Sequence, residues 1–249
     1  FKHIATISGL ISPRYIEVIS SDKAFVTDYN SGMVTVFNPA TFQKTAVINI
    51  GSSTEAICSI SGDVFVSSWS YNNKIYKIDA GTNNVVDSLV LTIQPNSMVV
   101  DKNDKLWVLS DGGFEGSPYG WEKAAITRIN PLNFDIEQVF EFPNKNSSPT
   151  KLSINKTKDT LFYLNGGWGE TNAQSGVCKM SITDNALPSN TLVPQGSRLF
   201  YGLSIDPNDN ILYISDAIDY LQKGWVYRYY TNGTIIDSCK VDIGPGSFC

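Results

Sequence analysis

One histidine, His3, stands among 249 residues, and that scarcity removes several chemistries at once. A histidine-based catalytic triad, a multi-histidine metal centre and an HExxH zinc site all need more imidazoles than this. The four cysteines, Cys58, Cys178, Cys239 and Cys249, show no CxxC spacing. Free cysteine behaves as a small apolar residue, so buried, unpaired thiols are expected. No apolar run approaches the ~18–20 residues of a transmembrane helix. Charge is sparse too, at 17% of residues against roughly 25% in an average soluble domain. With 19 basic residues and a net charge of −5, the chain repels phosphate backbones, and nucleic acid is not an expected partner. The sequence opens at Phe1 without Met. The expectation is a removed targeting segment or a trimmed chain, and a lipid anchor upstream would leave no trace here.

What remains is a composition of strands and tight turns. Aromatics reach 12%, and Gly, Ser, Thr, Asn, Val, Ile and Tyr are plentiful. At this length one all-β domain over residues 1–249 is reasonable.

Self-comparison organises that composition. An apolar residue and an aromatic, two β-formers and then Ser, Asp or Asn recur five times. The copies are Ala24-Phe25-Val26-Thr27-Asp28, Val64-Phe65-Val66-Ser67-Ser68, Leu106-Trp107-Val108-Leu109-Ser110, Leu161-Phe162-Tyr163-Leu164-Asn165 and Leu212-Tyr213-Ile214-Ser215-Asp216. Their aromatics at 25, 65, 107, 162 and 213 are spaced by 40, 42, 55 and 51. An alternating strand follows each copy, as in Ile75-Tyr76-Lys77-Ile78, and then a turn and a further strand such as Ala46-Val47-Ile48-Asn49-Ile50. Four short strands per repeat, in tandem, predict a β-propeller with antiparallel blades, their strands A to D running from the channel outward. The polar A–B turns, such as Asp101-Lys102-Asn103-Asp104, lack the spacing and terminal Glu of an EF-hand and read as hairpin turns. Five complete blades are present. Residues 1–8 read as a lone outer strand and 245–249 as a lone inner one, so about 70–80 further residues upstream would make a seven-bladed ring. A self-contained five-bladed ring is the alternative.

Met33-Val34-Thr35-Val36-Phe37-Asn38-Pro39-Ala40-Thr41, with Ala46-Val47-Ile48-Asn49-Ile50-Gly51, resembles the YVTN/YncE-like propeller repeat. The opening Phe1-Lys2-His3-Ile4-Ala5-Thr6-Ile7, the segment Lys105-Leu106-Trp107-Val108-Leu109 with Gly112-Gly113, and the ending Pro245-Gly246-Ser247-Phe248-Cys249 are similar to surface propeller lipoproteins of gut Bacteroidetes. That resemblance implies a cell-surface, outer-membrane location. It also implies a small-molecule ligand, in some members a corrinoid of the vitamin B12 type, passed to a TonB-dependent transporter; other members have no known ligand. No cofactor is expected.

Propeller topology puts the B–C loops and the starts of the inner strands on one face. The B–C loops carry Trp69, Tyr71, Phe114, Tyr119, Trp121, Trp168 and Tyr220 on Gly-rich segments, which suits a recognition surface as well as loop-local packing. Aligned strand starts bring Arg14, Glu55, Asn96, Thr150, Tyr201 and Gly246 to the channel mouth. This mixed polar set suits a large ligand bearing amides, or merely satisfies strand ends through water. The expected ligand-binding residues are Arg14, Glu55, Trp69, Tyr71, Asn96, Trp121, Thr150, Trp168 and Tyr201. A third set, Asp28, Ser68, Asp111, Asn165 and Asp216, closes each B strand, where such side chains bond nearby backbone. Its carboxylates lie on different blades, so glycosidase-like acid–base work is disfavoured. The leading expectation is a non-enzymatic binding propeller; a protein- or glycan-binding scaffold is the alternative, and a propeller hydrolase or lactonase a weaker one.

Overall fold

The computed structural model describes residues 2–166 and 174–248. Its helices are none among the described residues. Twenty strands form five four-stranded antiparallel sheets. Blade 1 holds β1 (Pro13–Ser20), β2 (Lys23–Asp28), β3 (Met33–Phe37) and β4 (Lys44–Asn49). Blade 2 holds β5 (Ile57–Ile60), β6 (Asp63–Ser68), β7 (Lys74–Asp79) and β8 (Asn84–Val90). Blade 3 holds β9 (Pro95–Val100), β10 (Leu106–Ser110), β11 (Ala125–Asn130) and β12 (Asp135–Glu141). Blade 4 holds β13 (Thr150–Ile154), β14 (Thr160–Asn165), β15 (Gly176–Ser181) and a two-residue outer strand, β16 (Val193–Pro194). Blade 5 holds β17 (Phe200–Ile205), β18 (Ile211–Asp216), β19 (Lys223–Tyr230) and β20 (Ile235–Ile243). Within each sheet the strands pair in chain order, and β1, β5, β9, β13 and β17 neighbour one another in sequence around the inside. The all-β propeller of antiparallel blades is therefore what the repeat pattern predicts.

Blade-on-blade packing explains the repeat. Successive residues of a strand point to opposite faces, and each second strand lies between two sheets, so it must be apolar on both. In β10, Leu106 and Val108 meet Phe65 and Ile75 of blade 2. Trp107 and Leu109, one residue on, meet Leu161, Tyr163 and Met180 of blade 4. In the first four copies the recurring aromatic faces the following blade: Phe25 packs with Val64 and Val66, and Phe162 with Leu212 and Ile214. Tyr213, the fifth copy, is half-buried and meets Phe248 instead, with ring centroids 5.9 Å apart.

Two expectations about the ends are corrected. Neither residues 2–8 nor 244–248 form a strand, because no neighbouring strand offers them a ladder. The first segment instead lays Ile7 and Leu10 over Ala24, Val26 and Phe37 of blade 1. The last places the Pro245 carbonyl against the Ser215 hydroxyl, which donates to it. The cysteine expectation is also corrected in part. Cys178 is buried, but Cys58 is half-buried and Cys239 exposed on the outer strand β20. Cys249 lies outside the described residues.

Candidate functional site at the channel mouth

A β-bulge near the start of four inner strands builds the site. Pairing slips between Pro13 and Ile16 in β1, between Pro95 and Ser97 in β9, between Thr150 and Ser153 in β13, and between Phe200 and Gly202 in β17. The extra residue at a bulge leaves the ladder and its side chain is re-aimed. Arg14, Asn96, Lys151 and Tyr201 fall in these four bulges. The recurrent Ser or Thr of the second strands serves the backbone there. Tyr15 N–H donates to Thr27 Oγ1 at 3.1 Å, and Gly202 N–H to Ser215 Oγ at 2.7 Å. In blade 4 the hydroxyl comes from the neighbouring blade, with Leu152 N–H donating to Ser97 Oγ at 3.0 Å.

Blade 4 corrects one expected residue. Thr150 pairs regularly with Leu164, and the displaced residue is Lys151, whose φ of 61° is rare for a residue with a Cβ. Aligning Pro149 with Pro13 set the register one residue early. Prolines are a poor ruler across a bulge.

The structure brings several predicted residues together. Arg14 Nε donates to Glu55 Oε2 at 2.7 Å, and the guanidinium lies 5.0 Å from the centre of the Tyr29 ring. Tyr29 in turn meets Trp69, with centroids 5.9 Å apart. Trp69 Nε1 donates to Asp111 Oδ2 at 2.9 Å. Asn96 Nδ2 reaches the same carboxylate oxygen at 3.3 Å and the Pro149 carbonyl at 3.0 Å. A continuous track thus runs from blade 1 to blade 4, and loop aromatics and strand starts share one face.

The other predicted residues lie around this track. Tyr71 and Tyr119, both exposed, form a tilted pair with ring centroids 4.7 Å apart. Trp121 is half-buried, its Nε1 donating to the Lys145 carbonyl at 3.0 Å. Tyr201 makes an edge contact with Tyr220 at 5.0 Å, and among the described residues it forms no hydrogen bond or ring contact with Arg14, Glu55 or Asn96. Trp168 lies outside the described residues.

Electrostatics distinguish the acids of this face. Burial pushes the Asp111 carboxyl up to about 6, only partly offset by its bonds from Trp69, Gly113 and Asn96. Burial also raises Glu55, opposed by the hydrogen bond and charge of Arg14 and by the charge of Lys151. Asp28 goes the other way. Burial would raise it, but the N–H groups of Ile11, Ser12 and Ser31 hold it below its ordinary value. Asp216 likewise accepts from Leu199 and Ile218 N–H, each at 2.9 Å. The acids at the ends of the second strands therefore tie loops to strand entries, as their turn chemistry predicts. Among the described residues no group of three His, Cys, Asp or Glu could hold a metal ion.

The sequence pattern singled out neither Lys151 nor Tyr29, and it favoured a turn role for Asp111. Contacts between blades carry no local signal. Two small clefts, about 220 and 190 Å³, lie on the opposite face, the first around Ile19, Ser59 and Asp63 and the second around Ile60, Asp104 and Leu132. Both are below the roughly 300 Å³ at which ligand pockets usually begin.

Fold and blade order define a β-propeller protein with a polar, aromatic-rimmed channel mouth. The chain belongs to the family described as a domain of unknown function, DUF5074, whose model matches residues 3–243. No curated protein matches it in sequence. Solved structures with similar folds include hydrazine synthase of Kuenenia stuttgartiensis, with a TM-score of 0.73 at 13% identity over 97% of this chain and 69% of that one. A streptogramin B lyase gives 0.67 at 15% identity, over 94% and 69%. A quinonprotein alcohol dehydrogenase-like protein from Bacteroides thetaiotaomicron gives 0.68 at 11%, over 92% and 55%. These proteins differ in name and activity, and identities this low carry the fold alone.

Proposed function

We propose that this chain is a non-enzymatic ligand-binding propeller that captures a large, amide-bearing small molecule, a corrinoid being the leading candidate. One observation carries the reading: loop aromatics and a ring of mixed polar side chains meet on one face, joined through Trp69, Asp111 and Asn96. A corrin ring offers broad apolar edges to the aromatics and peripheral amides to the polar groups. The turn-bound carboxylates favour binding over hydrolysis, since Asp28 and Asp216 are already engaged by backbone N–H groups. The likeness of the repeat to surface propeller lipoproteins supports a site on the outer cell surface, reached through a lipid anchor, with an outer-membrane transporter as the receiving partner. The exposed Tyr71–Tyr119 pair favours a second reading, a scaffold that stacks on a glycan or protein.

Calorimetry of the full-length protein with cyanocobalamin and cobinamide tests the first reading. Micromolar or tighter binding is expected, weakened about 30-fold in Trp121→Ala, as for a hot-spot tryptophan. No heat with either compound at micromolar protein overturns the corrinoid assignment. Tight binding unchanged in Trp121→Ala removes that loop from the site.

A further inference from the structure

Positive charge exceeds negative among Arg14, Glu55 and Lys151, near the inner-strand starts of blades 1, 2 and 4. Glu55, nearly buried, has two cations in its field, Arg14 and Lys151, and these also repel each other. Arg14 gives Glu55 its Nε–H at 2.7 Å. Among the described residues no acceptor stands within hydrogen-bond reach of its terminal nitrogens, nor of the Lys151 ammonium. A guanidinium and an ammonium are donors only; Arg14 is exposed and Lys151 half-buried, so the free N–H groups of both are open to an incoming acceptor. The backbone holds Lys151 in this position, at the bulge of β13 and with a positive φ. A side chain needed only to cover the strand would not require that conformation.

We propose that the channel mouth holds a seat for one anionic group, a carboxylate or a phosphate, between Lys151 and Arg14. Glu55 positions the guanidinium through Nε and leaves its outer edge for the incoming oxygens, which arginine grips in a fork. Lys151 supplies the opposing point charge. One anion brings the cluster of two cations and one carboxylate to neutrality and offsets the repulsion between Arg14 and Lys151. The proposal rests on reading this mouth as a ligand site, but on no particular ligand.

Thermal unfolding of the full chain at fixed ionic strength, in chloride, acetate or inorganic phosphate, tests it. A ligand bound only by the folded state raises the midpoint. At ten times the dissociation constant a shift of about 2–5 °C over chloride is expected. Acetate and phosphate separate the two sources of negative charge. Lys151→Gln and Arg14→Gln should each lose the shift, Lys151→Arg should keep most of it, and Lys240→Gln, on an outer strand, measures the general salt effect. No shift in the wild type, or a full shift in both Lys151→Gln and Arg14→Gln, overturns the seat. Calorimetry with cyanocobalamin on the same proteins separates the two readings. Corrinoid binding without an anion shift removes the seat and leaves the mouth as a site; an anion shift without corrinoid binding keeps the seat and removes the corrinoid.

Discussion

Trp107 and Tyr213 occupy the same position of the repeat, yet their surroundings differ sharply. Trp107 is fully buried, stacked 5.9 Å from Phe140, and its Nε1 donates to Asp101 Oδ2 at 2.9 Å. Tyr213 keeps part of its ring in water and has the Phe248 ring as its aromatic neighbour. The repeat supplies an aromatic that points to the next blade, and what stands there decides its worth. The inner strands show the same contrast. β9 holds only buried and half-buried residues, while β1 is largely exposed, with Val18 at 59% and Ile16 at 60%.

The largest expected effect breaks the interior member of that pair. Trp107→Ala should cost about 3–5 kcal/mol, as large-to-small changes at filled core sites do. Tyr213→Ala, in the same repeat position, should cost about 1–2 kcal/mol because less area leaves water. Guanidinium unfolding of both variants measures the difference, and equal losses would show that the blade interfaces are not what sets them apart.

A smaller effect comes from Asp111. Its folded value of about 6 lies above the ordinary 3.8, so the native state takes up the proton first as pH falls. Stability from this group therefore rises between pH 7 and pH 5, by about 1 kcal/mol. Asp111→Asn should remove that rise when unfolding is followed at the two pH values. Asp28, held low, acts in the opposite sense, and only as pH falls below its unfolded value. The smallest effect belongs to the exposed end. Val18→Ala should change stability by less than about 0.5 kcal/mol, and a loss above 1 kcal/mol would mean that the β1 face is covered in solution.

Blade number, strand order and core were legible because each depends on local alternation and on an aromatic recurring in step. All five copies of the motif fall in second strands, and their flanking residues fill the four interfaces. The mouth was legible in part. Arg14, Glu55 and Asn96 follow from the strand starts, but Lys151 was hidden by a bulge that adds one residue to β13. The Trp69–Asp111 bond crosses from one blade to the next over 42 residues, and no spacing rule announces such a partner. The end segments were misread as strands because their composition suits strands, while hydrogen bonding needs a neighbour.

The proposed ligand face is the one shared by the long loops and the inner-strand starts. Hydrogen exchange of the full-length protein, with and without saturating cobinamide, tests it most directly. Slowed exchange is expected in the loop from Asp111 to Lys123 and at the strand starts near Arg14, Glu55, Asn96 and Lys151. Protection confined to the opposite turns around Ser61–Asp63 and Asn103–Lys105, where the two clefts lie, or no protection at all, would contradict it.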